Sequence, residues 1–170
     1  MLDLANIVAA INALKVVHSD IKPDNILVTA PRPLISDPAA CYAYYKHGTP
    51  LIGVIDFGCA VEEGKPAKGG TPEYSDLDFD DEAGTAKVTS DIFAWGVTAM
   101  ELLCGEPGAN ADWDATVDVE LDALAKRGLT GLTELLYSAS HEDVGRRPSW
   151  DSIKNSIKFA LESSFYHSMR

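Results

Sequence analysis

The strongest constraint on the fold of this chain is a polar run that lies between apolar segments near its beginning. The run is His18-Ser19-Asp20-Ile21-Lys22-Pro23-Asp24-Asn25, and an apolar strand of residues 26–28 follows it directly. A second apolar strand, residues 51–55, leads into Asp56. Two short strands of this kind predict a hairpin whose ends present Asn25 and Asp56 at a common point.

The first residues predict an amphipathic helix that delivers the chain into this polar run. Its apolar side chains share one helical face and are Leu4, Ile7, Val8, Ile11 and Leu14. Polar residues are expected off that face, at Asp3, Asn6 and Asn12. A segment with such a periodic apolar face packs against a core, and it lacks the basic start of a signal peptide.

Helical patterns continue through the second half of the chain. Residues 91–104 are apolar nearly all round, which is typical of a helix in the middle of a domain, and Thr89 or Ser90 is the predicted cap. Further helices are predicted at residues 117–127 with Gly128 as the stop, at 132–139, and after Ser149 with Ile153, Ile157 and Leu161 facing inward. The 170 residues therefore predict one mainly α domain with a small hairpin at its working edge.

Two segments interrupt these patterns. Residues 29–50 separate the two predicted strands by more than a hairpin loop needs, and are interpreted as an inserted surface lobe that contains Pro31, Pro33, Pro38, Tyr42, Tyr44 and Tyr45. A docking role for those tyrosines is the alternative. Residues 59–88 are rich in glycine, lysine and acids without sustained periodicity, so we expect them to be loosely ordered.

The charge and cysteine content exclude several classes of function. The net charge of −12, without a cluster of Lys and Arg on one face, argues against a nucleic-acid or anionic membrane surface. The acidic residues are densest at 76–82, which predicts a solvated loop or, alternatively, a docking surface for basic substrates. Three widely spaced cysteines indicate a reducing compartment, cytoplasmic or nuclear, and no segment approaches the length of a membrane span.

The polar run and Asp56 supply the groups that phosphoryl transfer requires. A hydroxyl that receives a phosphoryl group needs a carboxylate to orient it, for which Asp20 is the candidate. A nucleotide triphosphate needs oxygen ligands that hold Mg²⁺ on it, and Asn25 and Asp56 can provide them. Lys22 adds a cation where negative charge shifts during the transfer.

Several further motifs occur in one order along the chain. After His18–Asn25 come Asp56-Phe57-Gly58, Gly70-Thr71-Pro72-Glu73-Tyr74, Asp91 with Trp95-Gly96, and Arg147-Pro148-Ser149. Together they resemble the catalytic loop, metal-binding loop and later landmarks of the eukaryotic protein kinase family. The resemblance spans essentially all 170 residues apart from 29–50. It implies the C-terminal, large lobe of a kinase catalytic domain, mainly α, with residues 56–78 as its activation segment.

The resemblance implies a role for each matching residue. Asp20 and Lys22 would be catalytic, and Lys22 followed by Pro23 is the arrangement seen in Ser/Thr kinases. Asn25 and Asp56 would hold Mg²⁺ on ATP, and Leu27 would form the apolar floor under its adenine. Thr71 would help to position the Ser or Thr of a protein substrate.

Other matching residues have implied structural roles. His18 would pack against Phe57, and Asp91 would be buried and bonded to the backbone of the catalytic loop. Asp78 would form an ion pair with Arg147, although Asp76-Leu77-Asp78 stands where the family usually has Ala-Pro-Glu. Ser19 stands where many members carry the arginine that pairs with an activation-segment phosphate.

The resemblance also leaves a part of the family pattern unmatched. No glycine-rich GxGxxG and no Val-Ala-x-Lys occurs, so we expect a large lobe without the small lobe, inactive until a missing lobe or a partner covers the interlobe face. The alternative is a non-catalytic, pseudokinase-like regulatory binding module. A third interpretation is a small-molecule phosphotransferase of the aminoglycoside-kinase type. It is disfavoured by Lys22, the 70–74 run and Arg147.

Overall fold

The computed structural model describes residues 1–29, 40, 43, 50–76, 84–104 and 113–168 of the chain. Within these ranges the helices are α1 (Leu2–Ala13), α2 (Val88–Cys104), α3 (Trp113–Leu124), α4 (Thr130–Ala139) and α5 (Trp150–Ser168). The strands are β1 (Val16–Val17), β2 (Ile26–Val28), β3 (Ile52–Val54) and β4 (Val61–Glu62). The prediction of a mainly α fold with a small antiparallel hairpin is confirmed.

The strands form two antiparallel pairs beside the polar run. β2 pairs with β3, with Leu27 opposite Gly53, as the apolar runs predicted. β1 pairs with β4, with Val17 opposite Val61, and this second pair was not predicted because two residues show no alternation. The expectation of loose order in 59–88 is wrong for its described part, since β4 and a bridge between Pro66 and Thr85 lie there.

Helix α1 packs through the row of Leu4, Ala5 and Val8, which are fully buried. Two predictions about this helix are wrong. Leu14 lies beyond the end of the helix and is 78% exposed, so it does not continue the apolar face. Asn12, expected on the polar side, is buried because it continues the i, i+4 row from Val8 and finds polar partners there.

Helix α2 runs through the centre of the core. It begins at Val88, so Thr89 and Ser90 lie in its first turn rather than at the predicted cap. Its large buried side chains pack with those of the other helices, and the fully buried set includes Leu4, Ile21, Trp95, Leu121, Leu136 and Ile153. Gly96 lets α2 approach α4 closely, because a Cβ there would lie 3.0 Å from the Ala139 Cβ.

The last three helices pack on α1 and α2. A wide turn, Ala125–Leu129, joins α3 to α4, and Gly128 adopts φ +83° there, which is a conformation that glycine tolerates. The Ser149 hydroxyl caps α5 by accepting a hydrogen bond from the Ser152 N–H at 3.3 Å. Ile153 and Ile157 are buried as predicted, whereas Leu161 is exposed.

Of the inserted segment 29–50, the structure describes residues 29, 40, 43 and 50. Thr29 donates its N–H to the Leu51 carbonyl at 2.9 Å, which extends the hairpin by one step. The predictions that 29–50 forms a surface lobe and that its tyrosines dock concern residues outside the described ranges. In the described part of the chain, no helix combines the length and the apolarity needed to cross a membrane.

Candidate active site

Asp91, in the first turn of α2, holds the backbone of the polar run in place. It is fully buried. Its Oδ2 accepts the His18 N–H at 2.8 Å and its Oδ1 accepts the Ser19 N–H at 2.9 Å. Asn12 Nδ2 donates to the same Oδ2 at 2.7 Å. Burial raises the pKa of the Asp91 carboxyl, and these hydrogen bonds act in the opposite direction because they favour the ionised form.

His18 connects this loop to the end of the hairpin. Its Nδ1 accepts the Asp20 N–H at 3.3 Å, and its Nε2 lies 3.2 Å from the Ile55 carbonyl oxygen. The tautomer with a proton on Nε2 satisfies both contacts, since Nδ1 then accepts and Nε2–H donates. The ring also lies 4.8 Å from the Phe57 ring, centroid to centroid. His18 therefore has both nitrogens engaged in holding other residues.

Asp20 is the centre of the site and is buried. Its Oδ1 accepts hydrogen bonds from the Thr71 N–H at 3.0 Å and the Thr71 hydroxyl at 2.7 Å. Its Oδ2 accepts from Asn25 Nδ2 at 2.9 Å and lies 3.1 Å from Lys22 Nζ. Burial alone would raise the pKa of Asp20, but the hydrogen bonds from Thr71, Lys22 and Asn25 outweigh it and lower that pKa. The carboxylate is thus held ionised.

The Thr71 hydroxyl bridges the two charged groups of the loop. It donates to Asp20 Oδ1 and accepts from Lys22 Nζ at 2.6 Å. A hydroxyl in this position has its proton directed at a carboxylate and its oxygen facing an ammonium group. That is the polarisation that an attacking hydroxyl requires.

Asn25 and Asp56 lie at adjacent strand ends. The Ile55 N–H donates to the Asn25 carbonyl at 3.0 Å, which places Asp56 one residue beyond that bond. Asn25 uses its Nδ2 for bonds to the Asp20 carbonyl and carboxylate, at 2.8 and 2.9 Å, so its Oδ1 is the atom left for a ligand. Asp56, at φ +59°, is exposed and accepts the Gly58 N–H at 3.1 Å. An amide oxygen and an exposed carboxylate fit Mg²⁺, which commonly takes one or two protein oxygens together with phosphates and water.

Exposed apolar side chains flank Asn25 and Asp56 in the sequence of the hairpin strands. Leu27, Val28, Ile55 and Phe57 are between 44% and 57% exposed, and we call this group the hairpin face. Leu27, the candidate floor for adenine, lies within it. Several exposed apolar side chains beside a polar site are typical of a region that binds a ligand or a partner.

Arg147 anchors the segment that follows Thr71, but its partner differs from the expected one. Its Nη1 lies 2.6 Å from Asp76 Oδ2, and both side chains are buried. It also donates to the carbonyls of Thr89 at 3.0 Å and His141 at 2.8 Å. Asp78, the predicted partner, lies outside the described residues. Asp76 was not predicted as the partner because two aspartates stand close together in the sequence and their spacing does not distinguish them.

A second anchor holds the same segment on α2. The Tyr74 hydroxyl donates to the Glu101 carboxylate. Burial raises the pKa of the Tyr74 hydroxyl, and the bond to Glu101 raises it further because a phenolate would face a carboxylate. Tyr74 therefore remains a neutral donor. Asn12, whose carboxamide contacts Asp91, is the other site residue that was not predicted; its place in the apolar row of α1 was the available signal.

Gly70→Ala is expected to displace Thr71 from Asp20. A Cβ at residue 70 would lie 2.5 Å from the Ser19 carbonyl oxygen, so the backbone must move. We expect a loss of about 1–3 kcal/mol in the free energy of unfolding, measured by urea denaturation, together with a shifted Thr71 amide resonance. Gly131→Ala is the matched control, since a Cβ there meets nothing within 4 Å. Unchanged stability and an unchanged Thr71 resonance would contradict the close approach.

Comparison with known proteins agrees with this geometry. Residues 1–157 match the protein kinase domain family. The chain is 31% identical to serine/threonine-protein kinase DCLK2 of Homo sapiens over 158 residues, which are 92% of this chain and 17% of that protein. It is 27% identical to serine/threonine-protein kinase PknA of Nostoc over 117 residues, 62% of this chain and 17% of that protein.

A third relative belongs to a plant. The chain is 30% identical to a Wee1-like protein kinase of Arabidopsis thaliana over 139 residues, which are 79% of this chain and 24% of that protein. The chain therefore spans less than a third of the length of each of these relatives. Since the family match covers most of the chain and includes the site described above, this protein belongs to the protein kinase family.

Proposed function

We propose that this chain carries the acceptor-and-metal half of a serine/threonine protein kinase site, which transfers the γ-phosphoryl group of ATP to a Ser or Thr hydroxyl of a protein. One observation carries the proposal. The Thr71 hydroxyl lies between Asp20 Oδ1 and Lys22 Nζ, at 2.7 and 2.6 Å. A substrate hydroxyl next to this pair would meet the same carboxylate and the same cation. The Ser/Thr kinase names of its relatives support the acceptor class.

The reaction assigns one task to each side chain. The acceptor oxygen forms a bond to the γ-phosphorus while the bond to the β–γ bridging oxygen breaks and ADP leaves. Asp20 orients the acceptor hydroxyl and receives its proton, which its ionised state permits. Lys22 stabilises the negative charge on the transferring group. Asn25 Oδ1 and the Asp56 carboxylate would hold Mg²⁺, which neutralises phosphate charge when bound.

We further propose that the 170 residues correspond to the large lobe of the kinase domain. They contain no glycine-rich GxGxxG and no Val-Ala-x-Lys that would cover the phosphates. The hairpin face is then the surface on which a small lobe packs, whether it belongs to the same polypeptide or to a separate one. Its four half-exposed apolar side chains support this assignment, because their burial would be favourable.

Calorimetry with Mg·ATP tests both parts of the proposal. We expect weak or undetectable binding to the chain alone, and binding with peptide phosphorylation once a kinase small lobe is supplied in trans. Absence of nucleotide binding in both mixtures would contradict the enzymatic proposal. Capture of a regulatory protein through the hairpin face, without nucleotide binding, would favour the pseudokinase-like alternative, for which the exposure of that face is the supporting observation.

Asp20→Asn is expected to lower phosphoryl transfer by about 10²–10⁴-fold, because the amide cannot accept the proton of the hydroxyl. The measurement is transfer of radiolabelled phosphate from ATP to a Ser/Thr peptide in the mixture with the small lobe. The affinity for Mg·ATP should stay close to that of the parent, since Asn25 and Asp56 are unchanged. Asp122→Asn, on the exposed side of α3, is the control with the same chemical change. Transfer at the parental rate by Asp20→Asn would refute the role of Asp20.

A further inference from the structure

Asn12 joins three parts of the molecule through one buried carboxamide. Its Nδ2 donates to Asp91 Oδ2 at 2.7 Å and to the Val16 carbonyl at 2.9 Å. Its Oδ1 accepts the Trp150 Nε1–H at 2.7 Å. Helix α1, the start of α2 and the first residue of α5 therefore meet at this side chain.

The bond to Asp91 places Asn12 one contact away from the catalytic loop. Asp91 Oδ2 accepts both the Asn12 amide and the His18 N–H, and Oδ1 accepts the Ser19 N–H. Ser19 adopts φ +65°, a conformation that costs a residue other than glycine about 1–2 kcal/mol and persists only where its surroundings hold it. The loop before Asp20 therefore keeps its conformation only while the Asp91 carboxylate keeps its orientation.

Trp150 decides which way the Asn12 carboxamide faces. In the observed orientation all three contacts pair a donor with an acceptor. A flipped amide would turn its oxygen toward Asp91 Oδ2 and the Val16 carbonyl, and its NH₂ toward the Trp150 N–H. Every contact would then be between like groups, which is costly in a buried site.

We propose that Asn12 and Trp150 are positioning residues that couple the first turn of α5, through Asp91, to the loop that carries Asp20. Neither residue touches the reacting groups. The coupling between Trp150, Asn12 and the loop does not depend on the proposed function. Only the statement that the loop carries a catalytic residue, Asp20, rests on that function. It goes beyond a packing role, because it depends on the donor and acceptor pattern of the side chains and not on their volume.

Trp150→Phe tests the coupling against a closely matched control. The variant removes the Nε1–H that Asn12 accepts while it keeps an aromatic ring. Trp95→Phe makes the same change at a buried indole whose Nε1 has no hydrogen-bond partner in the described structure. The two rings pack edge to face at 6.3 Å, so both variants disturb the same part of the core.

The readout is amide hydrogen exchange at His18 and Ser19, expressed as protection relative to Leu136, a core residue of α4. We expect Trp150→Phe to lower this ratio about tenfold, the effect of losing one buried hydrogen bond, and Trp95→Phe to leave it unchanged. Equal ratios in the two variants would overturn the proposal and leave Trp150 a packing residue only.

Asn12→Asp gives a second test, with a pH-dependent result that a change in packing alone would not produce. The new carboxylate would lie beside Asp91 Oδ2, and two carboxylates at that separation share one proton, so one of their pKa values rises strongly. His18 is the titratable side chain that faces Asp91 from the loop, and Trp150 faces the pair from α5 without a charge. Protection at His18 and Ser19 should therefore fall as the pH rises from about 6 to about 9, because the shared proton is lost. The same pH profile in variant and parent would contradict the proposal.

Kinase assays distinguish a failure of this inference from a failure of the proposed function. With the small lobe supplied, Trp150→Phe should lower kcat with little change in the KM for ATP, since Asn25 and Asp56 are untouched. If the parent itself transfers no phosphate, the proposed function fails. The exchange measurements are made without substrate, so they still decide whether Asn12 and Trp150 hold the loop.

Discussion

Asp91→Ala is expected to unfold the loop at His18–Asn25 and to lower the free energy of unfolding by about 3–5 kcal/mol. The substitution removes the acceptor of three hydrogen bonds, from Asn12, His18 and Ser19, at 2.7–2.9 Å. Their donors are buried and would have no replacement partner within reach of an alanine side chain. The cost of those unpaired donors exceeds the gain from no longer burying a carboxylate.

Thermal denaturation and Mg·ATP titration measure the two consequences of Asp91→Ala. We expect the Tm to fall by roughly 10 °C for a domain of this size. Nucleotide binding in the presence of a small lobe should be lost, since Asn25 lies at the end of the same loop. Asp122→Ala, at an exposed ion pair on α3, is the control and should change stability by no more than about 0.5 kcal/mol. Unchanged thermal stability and ligand binding in Asp91→Ala would refute the anchoring role.

Arg147→Leu is the second variant with a large expected effect. It leaves the Asp76 carboxylate buried without its partner, which costs about 3–5 kcal/mol in comparable buried pairs. Only the Ser90 hydroxyl, which donates to Asp76 Oδ2 at 3.1 Å, would then remain, because Asp76 Oδ1 has no hydrogen-bond partner in the described structure. The guanidinium also lies 4.9 Å from the centre of the Phe93 ring, so its packing contact is lost as well.

A double-mutant cycle isolates the ion pair from the packing contact. Asp76→Asn combined with Arg147→Leu removes the buried charge, so the double variant should recover part of the stability that Arg147→Leu loses. Urea denaturation of the parent, both single variants and the double variant gives the coupling energy. If the double variant is destabilised by the sum of the two single effects, Asp76 and Arg147 are not coupled. The anchoring of the segment after Thr71 would then have another cause.

The local parts of the fold followed from the sequence. The β2–β3 hairpin was predictable because two short apolar runs end beside polar residues. The composition of each run indicates a strand without information from distant residues. The middle helix was predictable for the same reason, since α2 is apolar on nearly all sides. Helix ends were less certain: Leu14 and Leu161 continue an apolar pattern but lie where no core remains to receive them.

The β1–β4 pair shows why other parts were not predictable. Each strand has two residues, which is too short to show the alternation of apolar and polar residues that marks a strand. Their pairing also joins segments that are far apart in the chain. Two residues separate β1 from the end of α1, and the Lys15 carbonyl between them accepts the Glu63 N–H at 2.8 Å, which adds a hydrogen bond at the end of the pair. Only the tertiary arrangement brings these segments together.

By itself, the sequence determined the family and indicated the residues that we propose for its chemistry. Asp20, Lys22, Asn25 and Asp56 stand in an order and spacing that a catalytic loop and a metal-binding loop require. The tertiary structure alone decided which distant groups meet: Asn12 and Trp150 beside Asp91, and Asp76 with Arg147 in the segment after Thr71. The physical reason is that local spacing specifies side-chain types, whereas a buried polar group takes whichever complementary partner the packing brings within hydrogen-bond distance.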